Sequence, residues 1–567
     1  MTRPQRHQSH ASAHRNALAS RQRAGAGQMV NVSTTHGEDR SVFDLSARLT
    51  LVQEREIDWK VKHAITDRDA VDLQTVNDPI NQLGALHSAS VPIVTSNDST
   101  SYFAAVNKRS NFVQDGPADD IDPSMLRRAK SVIASLPDIF ETWDENEFDR
   151  QRWLAKFDEG KRKRMVVAWD AIDTHTRKEL SDKNGSVKIE TLVGKRFDKT
   201  AAGRIIYAGT DAFNAVTGPP QMVAMERLCS LLEHEGENGD RLKVAGRVQC
   251  MLGYKKDDLE LAKFIISDEF REVIEGDYSR NDREQRSSVC VLTNLWFKKL
   301  GFPLWYTDLM SSLERYTLTN REFGLRVNLM YQLPTGTTNT TFRNSTYNLT
   351  MFVVACEIQD RRGKCLILGD DLLACLNKRF NLAAWVRDVA LFKMVLKAKA
   401  PPLNGHATFL SRRLFTEVEV PFMVPRIGKM LVRFNARACQ NANLSDAAAM
   451  AAKALSYAFG CKNVHLFRDV FLKRYEMEMS KQDYVEHFDV DSLGWHVRSN
   501  GYTLDDIRKR TIEAPNLVHD DDLSQWLTAV YDIDLYDTME IMEATILCDE
   551  AVILEDPRIE RFKDDYD

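Results

Sequence analysis

Two short apolar runs, Cys365-Leu-Ile-Leu368 and Leu372-Leu-Ala-Cys375, are separated only by Gly369, Asp370 and Asp371. Runs of this length suit buried strands, and Gly-Asp-Asp is the composition of a tight turn. The pattern predicts a hairpin over 365–375 with two carboxylates at its tip, and apolar flanks that hold the turn rigid. Upstream, 272–278 reads as an extended segment reaching Asp277, while 283–299 and 340–359 read as helices. The stretch 264–376 is therefore expected to run strand, helix, helix, strand, turn, strand. A further helix is expected over 383–397, and mainly helices after Pro425.

A chain of 567 residues has ample length for a large core, and roughly 150 residues per domain suggests three or four substructures. Hydrophobic residues at 43% and charged residues at 28% are ordinary for a globular protein, so composition names no function. The net charge of -6 conceals an asymmetry: Arg3, Arg6, Arg15, Arg21 and Arg23 precede the first acidic residue, Glu38. An acidic protein can still hold nucleic acid in a locally basic channel, because phosphate contacts are local. The nine cysteines are scattered and never form Cys-x-x-Cys, which argues against a zinc knuckle or disulfide framework and for a reducing compartment. No apolar run reaches the roughly 18 residues of a membrane span. Residues 1–40 read as a disordered basic tail, a solvated or RNA-tethering arm; a transit peptide would share the Arg and Ser content, but a clear apolar helical face is missing. The stretch 122–173 reads as helical, opened by the cap Asp122-Pro123, with Trp143, Trp153 and Trp169 as core anchors. Residues 187–207 alternate β-rich pieces with cations, and helices resume near Gln221.

Three segments stand in a fixed order: Asp277-x4-Asp282, then Thr335-Gly336-x3-Thr340-x3-Asn344, then Gly369-Asp370-Asp371. Taken singly, each is as consistent with a solvated loop or turn as with a site. Carboxylates at one strand end and at a neighbouring hairpin tip could together bind a hard divalent cation, and without one they repel each other. In this order and separation the set resembles motifs A, B and C of the RNA-dependent RNA polymerases of positive-strand RNA viruses, of the noda-like, tombus-like and narna- or ourmia-like group. The resemblance covers roughly 187–435. Thr335 stands where Ser is commoner, and the hydroxyl is kept.

The resemblance implies an α+β right-hand polymerase, with an RRM-like antiparallel palm sheet and mainly helical fingers and thumb. It divides the chain into a tail (1–40), an N-terminal extension with the fingers (41–265, motif F at 187–207), a palm (266–415) and a thumb with a C-terminal extension (416–567). Asp277, Asp370 and Asp371 would bind Mg²⁺ or Mn²⁺ for nucleotidyl transfer from nucleoside triphosphates along an RNA template. Asp282 and Asn344 would recognise the ribose 2′ hydroxyl. Thr335 and Thr340 would line the nucleotide site, with Gly336 giving their loop freedom to move. Lys188, Lys195 and Arg204 would grip the triphosphate and Glu190 would position a neighbouring cation. Lys399, in preference to Lys397, would protonate the pyrophosphate. Arg426 and Lys429 would open the thumb, against the primer backbone. The implied location is the host cytoplasm, at replication membranes or with viral replication partners, and mitochondrial targeting by the tail stays open. The rivals are a reverse transcriptase, disfavoured by Leu368-Gly369 and Asn344, and a nonenzymatic RNA-binding replication or coat protein.

Overall fold

The computed structural model describes residues 77–78, 81–105, 121–143, 150–157, 159–193, 203–236, 239–267, 269, 272–437, 445–481, 493, 497 and 502–566. The basic tail and Lys195 lie outside them.

The predicted hairpin is the middle of a six-stranded sheet. Its strands are β1 (Lys243–Val244), β2 (Val248–Leu252), β3 (Glu272–Tyr278), β4 (Gly363–Leu368), β5 (Asp371–Leu376) and β6 (Leu396–Lys399), in the spatial order β6-β3-β5-β4-β2-β1. All pairs are antiparallel except β2 with β4, so the sheet is mixed rather than wholly antiparallel as expected. Strand alternation divides its side chains between two cores. Cys250, Leu252, Ile274, Cys365, Ile367, Leu372 and Ala374 face one cluster, packed with Trp296, Phe352 and Trp385 from the helices that cover that side. Met251, Val273, Leu366, Leu373 and Cys375 face another, under the helix Asp258–Ile265 and the strands Arg412–Phe415 and Phe422–Pro425.

A second sheet, ordered Leu325–Met330, Arg315–Asn320, Lys183–Val187, Ile205–Gly209, flanks the first. Two long helices pack on the first sheet, α1 (Asp211–Leu232), which also touches the second, and α2 (Thr340–Ile358). The last quarter of the sequence is a helical layer built on α3 (Ile427–Phe434), Asp446–Gly460, His465–Met479, Asp520–Tyr531 and Leu535–Ile546, around its own apolar core. As expected, Asp122 caps the helix Pro123–Ala134, accepting from the Ser124 and Met125 amides. Trp143 and Trp153 are buried, and Trp169 packs on Trp153.

Three expectations need correction. The helix expected over 383–397 ends at Ala390, and β6 replaces its second half. Lys393 turns the chain at positive φ, and beyond it Met394 and Leu396 are buried two residues apart, which is strand spacing. The helix near Gln221 begins ten residues earlier, capped by Thr210, and passes through Pro219 and Pro220. There Thr217 Oγ1 donates back to the Phe213 carbonyl at 2.7 Å. The helix over 283–299 is a short turn, Asn281–Glu284, followed by Ser287–Lys299, broken where Gln285 turns extended.

The N-terminal segment ties distant parts together. Asn81–Gln82 pairs with Ala436–Arg437. Leu86–His87 lies parallel to Ile553–Leu554. Ile93–Thr95 then joins a small sheet with Thr191–Leu192, beside the second sheet. This strap therefore runs from the C-terminal helices across to the loop that carries Lys188 and Glu190.

Candidate active site

Asp370 and Asp371 occupy the turn between β4 and β5, closed by the pair Leu368 and Asp371. Gly369 has φ +66, and nothing lies within 4 Å of where its Cβ would be, so the glycine serves the backbone conformation and not a close contact. Two side chains of α2 hold this turn from below. Ser345 Oγ accepts from the Gly369 amide at 2.8 Å, and Asn348 Nδ2 donates to the Asp370 carbonyl at 3.1 Å. Sequence reasoning missed both, although polar residues at i and i+3 in a fully buried helix were a signal.

Asp277 lies at the end of β3. The register pairs Gly276 with Leu372, so one residue further on Asp277 stands across from Asp371, and on its other side it pairs with Lys397. Burial, then the charges of Asp371, Asp282 and Asp277, push the Asp370 carboxyl up to about 7. Burial and Asp277 push Asp371 up to about 6, against the pull of Arg426 and Lys429. Among the described residues no three such side chains already stand together as a metal cage. The three aspartates nevertheless offer hard oxygen donors whose mutual repulsion a divalent cation relieves, so they fit Mg²⁺ or Mn²⁺.

Asp282 and Asn344, far apart in sequence, meet: Asn344 Nδ2 donates to Asp282 Oδ1 at 2.8 Å, and the Thr335 hydroxyl donates to Oδ2. Gln285 Nε2 donates to Asn344 Oδ1 at 2.6 Å, which turns the Asn344 amino group toward Asp282. Gln285 is a third residue that the sequence reading missed, since nothing local marks it. Gly336 has φ +91, and its Cβ would meet Ile206 Cγ2 at 2.9 Å. Thr340 Oγ1 donates to the Pro334 carbonyl at 3.1 Å and so braces the same loop.

Opposite the aspartates, Glu190 takes the guanidinium of Arg204 in a two-pronged ion pair and Lys188 Nζ at 3.3 Å. The Arg204 guanidinium is held charged by Glu190 first, and also feels Asp370 and Asp282. Lys399 is paired with Glu275 at 2.9 Å, two residues before Asp277. Lys429, donating to Ser411 Oγ at 3.0 Å, is pushed down to about 8 by burial and by Arg433 and Arg426.

A cavity of about 470 Å³ is lined by Asp370, Asp371, Asn344, Thr340, Trp153 and Lys156. A second, of about 820 Å³, shares Asp371 and continues along Arg412, Arg426, Lys429, Arg433 and Tyr457.

Carboxylates on neighbouring strands beside a cavity, with Arg204 near enough to feel Asp370 and Asp282, suit chemistry on phosphate groups. The family is narrower than that class: a family model described as RNA dependent RNA polymerase matches residues 199–487, half of the chain, and the chain belongs to this family of positive-strand RNA virus enzymes. It is a nucleotidyltransferase acting on RNA and nucleoside triphosphates. No curated protein matches the chain. The matched residues include every aspartate above, whereas Lys188 and Glu190 precede them.

Proposed function

We propose that the six-stranded sheet is the palm of a right-hand polymerase, that the second sheet with α1 belongs to the fingers, and that the layer from about residue 416 is the thumb. Residues 41–265 would hold the N-terminal extension and fingers, 266–415 the palm, and 416–567 the thumb and C-terminal extension. In this reading Asp277, Asp370 and Asp371 hold two divalent cations, and the observation that carries it is the placement of Asp277 opposite Asp371 beside a third carboxylate pushed up to about 7. When bound, Mg²⁺ or Mn²⁺ neutralises the phosphates and lowers the pKa of the attacking 3′ hydroxyl.

The chain's own residues do the positioning. Arg204 and Lys188, held by Glu190, grip the triphosphate, and Lys195 extends the same basic segment. Asp282 and Asn344 receive the ribose 2′ hydroxyl, with Thr335, Gly336 and Thr340 shaping the loop around it. Arg426 and Lys429 steady the product strand backbone. For the proton that leaves with pyrophosphate, Lys399 is engaged by Glu275, whereas Lys397 stands directly across from Asp277 and is the better placed of the two. Catalysis then rests on orientation and charge neutralisation, with no covalent intermediate. Among the described residues no helix is long and apolar enough to cross a membrane, and we place the enzyme in the host cytoplasm, where viral RNA is copied.

The test is incorporation of labelled nucleotide by the purified chain on a short RNA template with Mg²⁺ or Mn²⁺. Ribonucleotide incorporation lost in Asp370→Ala is expected. Incorporation that survives Asp370→Ala, or a preference for deoxyribonucleotides, would overturn the reading.

A further inference from the structure

Thr95 lies outside the three motifs and more than a hundred residues before the first matched residue, yet its hydroxyl is the hub of the loop that carries the cations. Its Oγ1 donates to the Lys188 carbonyl at 2.6 Å and accepts from the Glu190 amide at 2.9 Å. Its own amide donates to the Glu190 carbonyl at 3.1 Å. The residue is 2% exposed. Nearby, the Val187 amide donates to Asn97 Oδ1 at 2.8 Å, and the Lys188 amide donates to the Arg204 carbonyl at 2.7 Å. Lys188, Glu190 and Arg204 are thus fixed in backbone position by one another and by the strap.

The side chains pass that position inward. Glu190, 17% exposed, orients the half-exposed Arg204, which is near enough to feel the charges of Asp370 and Asp282. We infer that Thr95 is a positioning residue for nucleotide binding: through the backbone of residues 188–190 it sets where Glu190 aims Arg204, and hence where the triphosphate is gripped. This rests on the assignment of Arg204 and Glu190 to the triphosphate.

Valine has the shape of threonine without its hydroxyl, so Thr95→Val keeps the packing and leaves the Glu190 amide and Lys188 carbonyl without that partner. With the full chain on an RNA template, Thr95→Val is expected to raise the KM for nucleoside triphosphate about tenfold, with kcat and RNA affinity near wild type. Thr95→Ser, which keeps the hydroxyl, should restore KM. In a Glu190→Gln background, Thr95→Val should add little, because both act on the same contact. Arg204→Ala is measured alongside. If it leaves KM unchanged, the triphosphate assignment falls and the inference with it. If it raises KM while Thr95→Val does not, or if serine fails to restore what valine loses, only the role of Thr95 is overturned.

Discussion

The aspartates at the turn make a prediction about protons. A carboxyl held above its ordinary range binds more protons when folded than when unfolded between the two pKa values, so its charge costs stability as pH rises. For Asp370 that window runs from near 4 to about 7. Without divalent cation, Asp370→Asn should therefore be more stable than wild type at pH 8, by about 1–3 kcal/mol, and no more stable at pH 4. Urea unfolding at the two pH values checks this. Divalent cation binds the ionised carboxylates, so Mn²⁺ affinity should rise with pH through 6 to 7, and in Asp370→Asn the rise near 7 should be lost while the rise near 6 that Asp371 carries remains, as titration calorimetry would read. For Asp282 and Asn344 the expectation is selectivity: Asn344→Ala should lower the preference for ribo- over deoxyribonucleotides by about tenfold or more in kcat/KM. Asp277, Asp282, Asn344 and the Asp370 turn were legible because each sits in a short segment of distinctive spacing and the segments stand in a fixed order, a pattern to which neither Gln285 nor Thr95 belongs. Gln285 and Thr95 were not, since each acts on a partner about sixty or ninety residues away that only packing brings near.

Among the elements, α2 carries both Asn344, bonded to Asp282, and the two side chains that hold the aspartate turn. Asn348→Ala removes the amide that fixes the Asp370 carbonyl, and kcat should fall about tenfold while RNA affinity holds, as single-turnover kinetics would show. The hairpin itself was readable because both its strands are apolar and its spacer is turn chemistry. β6 was misread because the helical signal of Leu382–Ala390 runs on into apolar residues whose spacing changes to two only after Lys393. The break at Gln285 was invisible for a different reason: Ser287–Lys299 has enough apolar content to extend the helix backwards, and the hydrogen bond to Asn344 that holds Gln285 where the chain straightens leaves no local mark.

Across the whole molecule, the strap joins residues that no periodicity could have paired, because two-residue strands carry no pattern. Asn435 locks its crossing: Nδ2 donates to the Ala85 carbonyl at 2.9 Å and to the Thr545 carbonyl at 2.6 Å. Asn435→Leu leaves both carbonyls buried without that donor and should cost about 1–3 kcal/mol in urea unfolding. Arg474 makes the same junction from another side, donating to the Leu83, Ile546 and Cys548 carbonyls. Leu86–His87 and Ile553–Leu554 both lie outside the matched residues, so this junction is an addition to the part of the chain that defines the family. It also has a consequence in time. The strap is made before its strand partner, which follows more than four hundred residues later. At about 5–20 residues per second, the ribosome leaves the early segment waiting on the order of a minute before it can dock. Until residues 553–554 have emerged, Leu86–His87 has no strand to lie against, so this junction can close only after the whole matched region, 199–487, has been made.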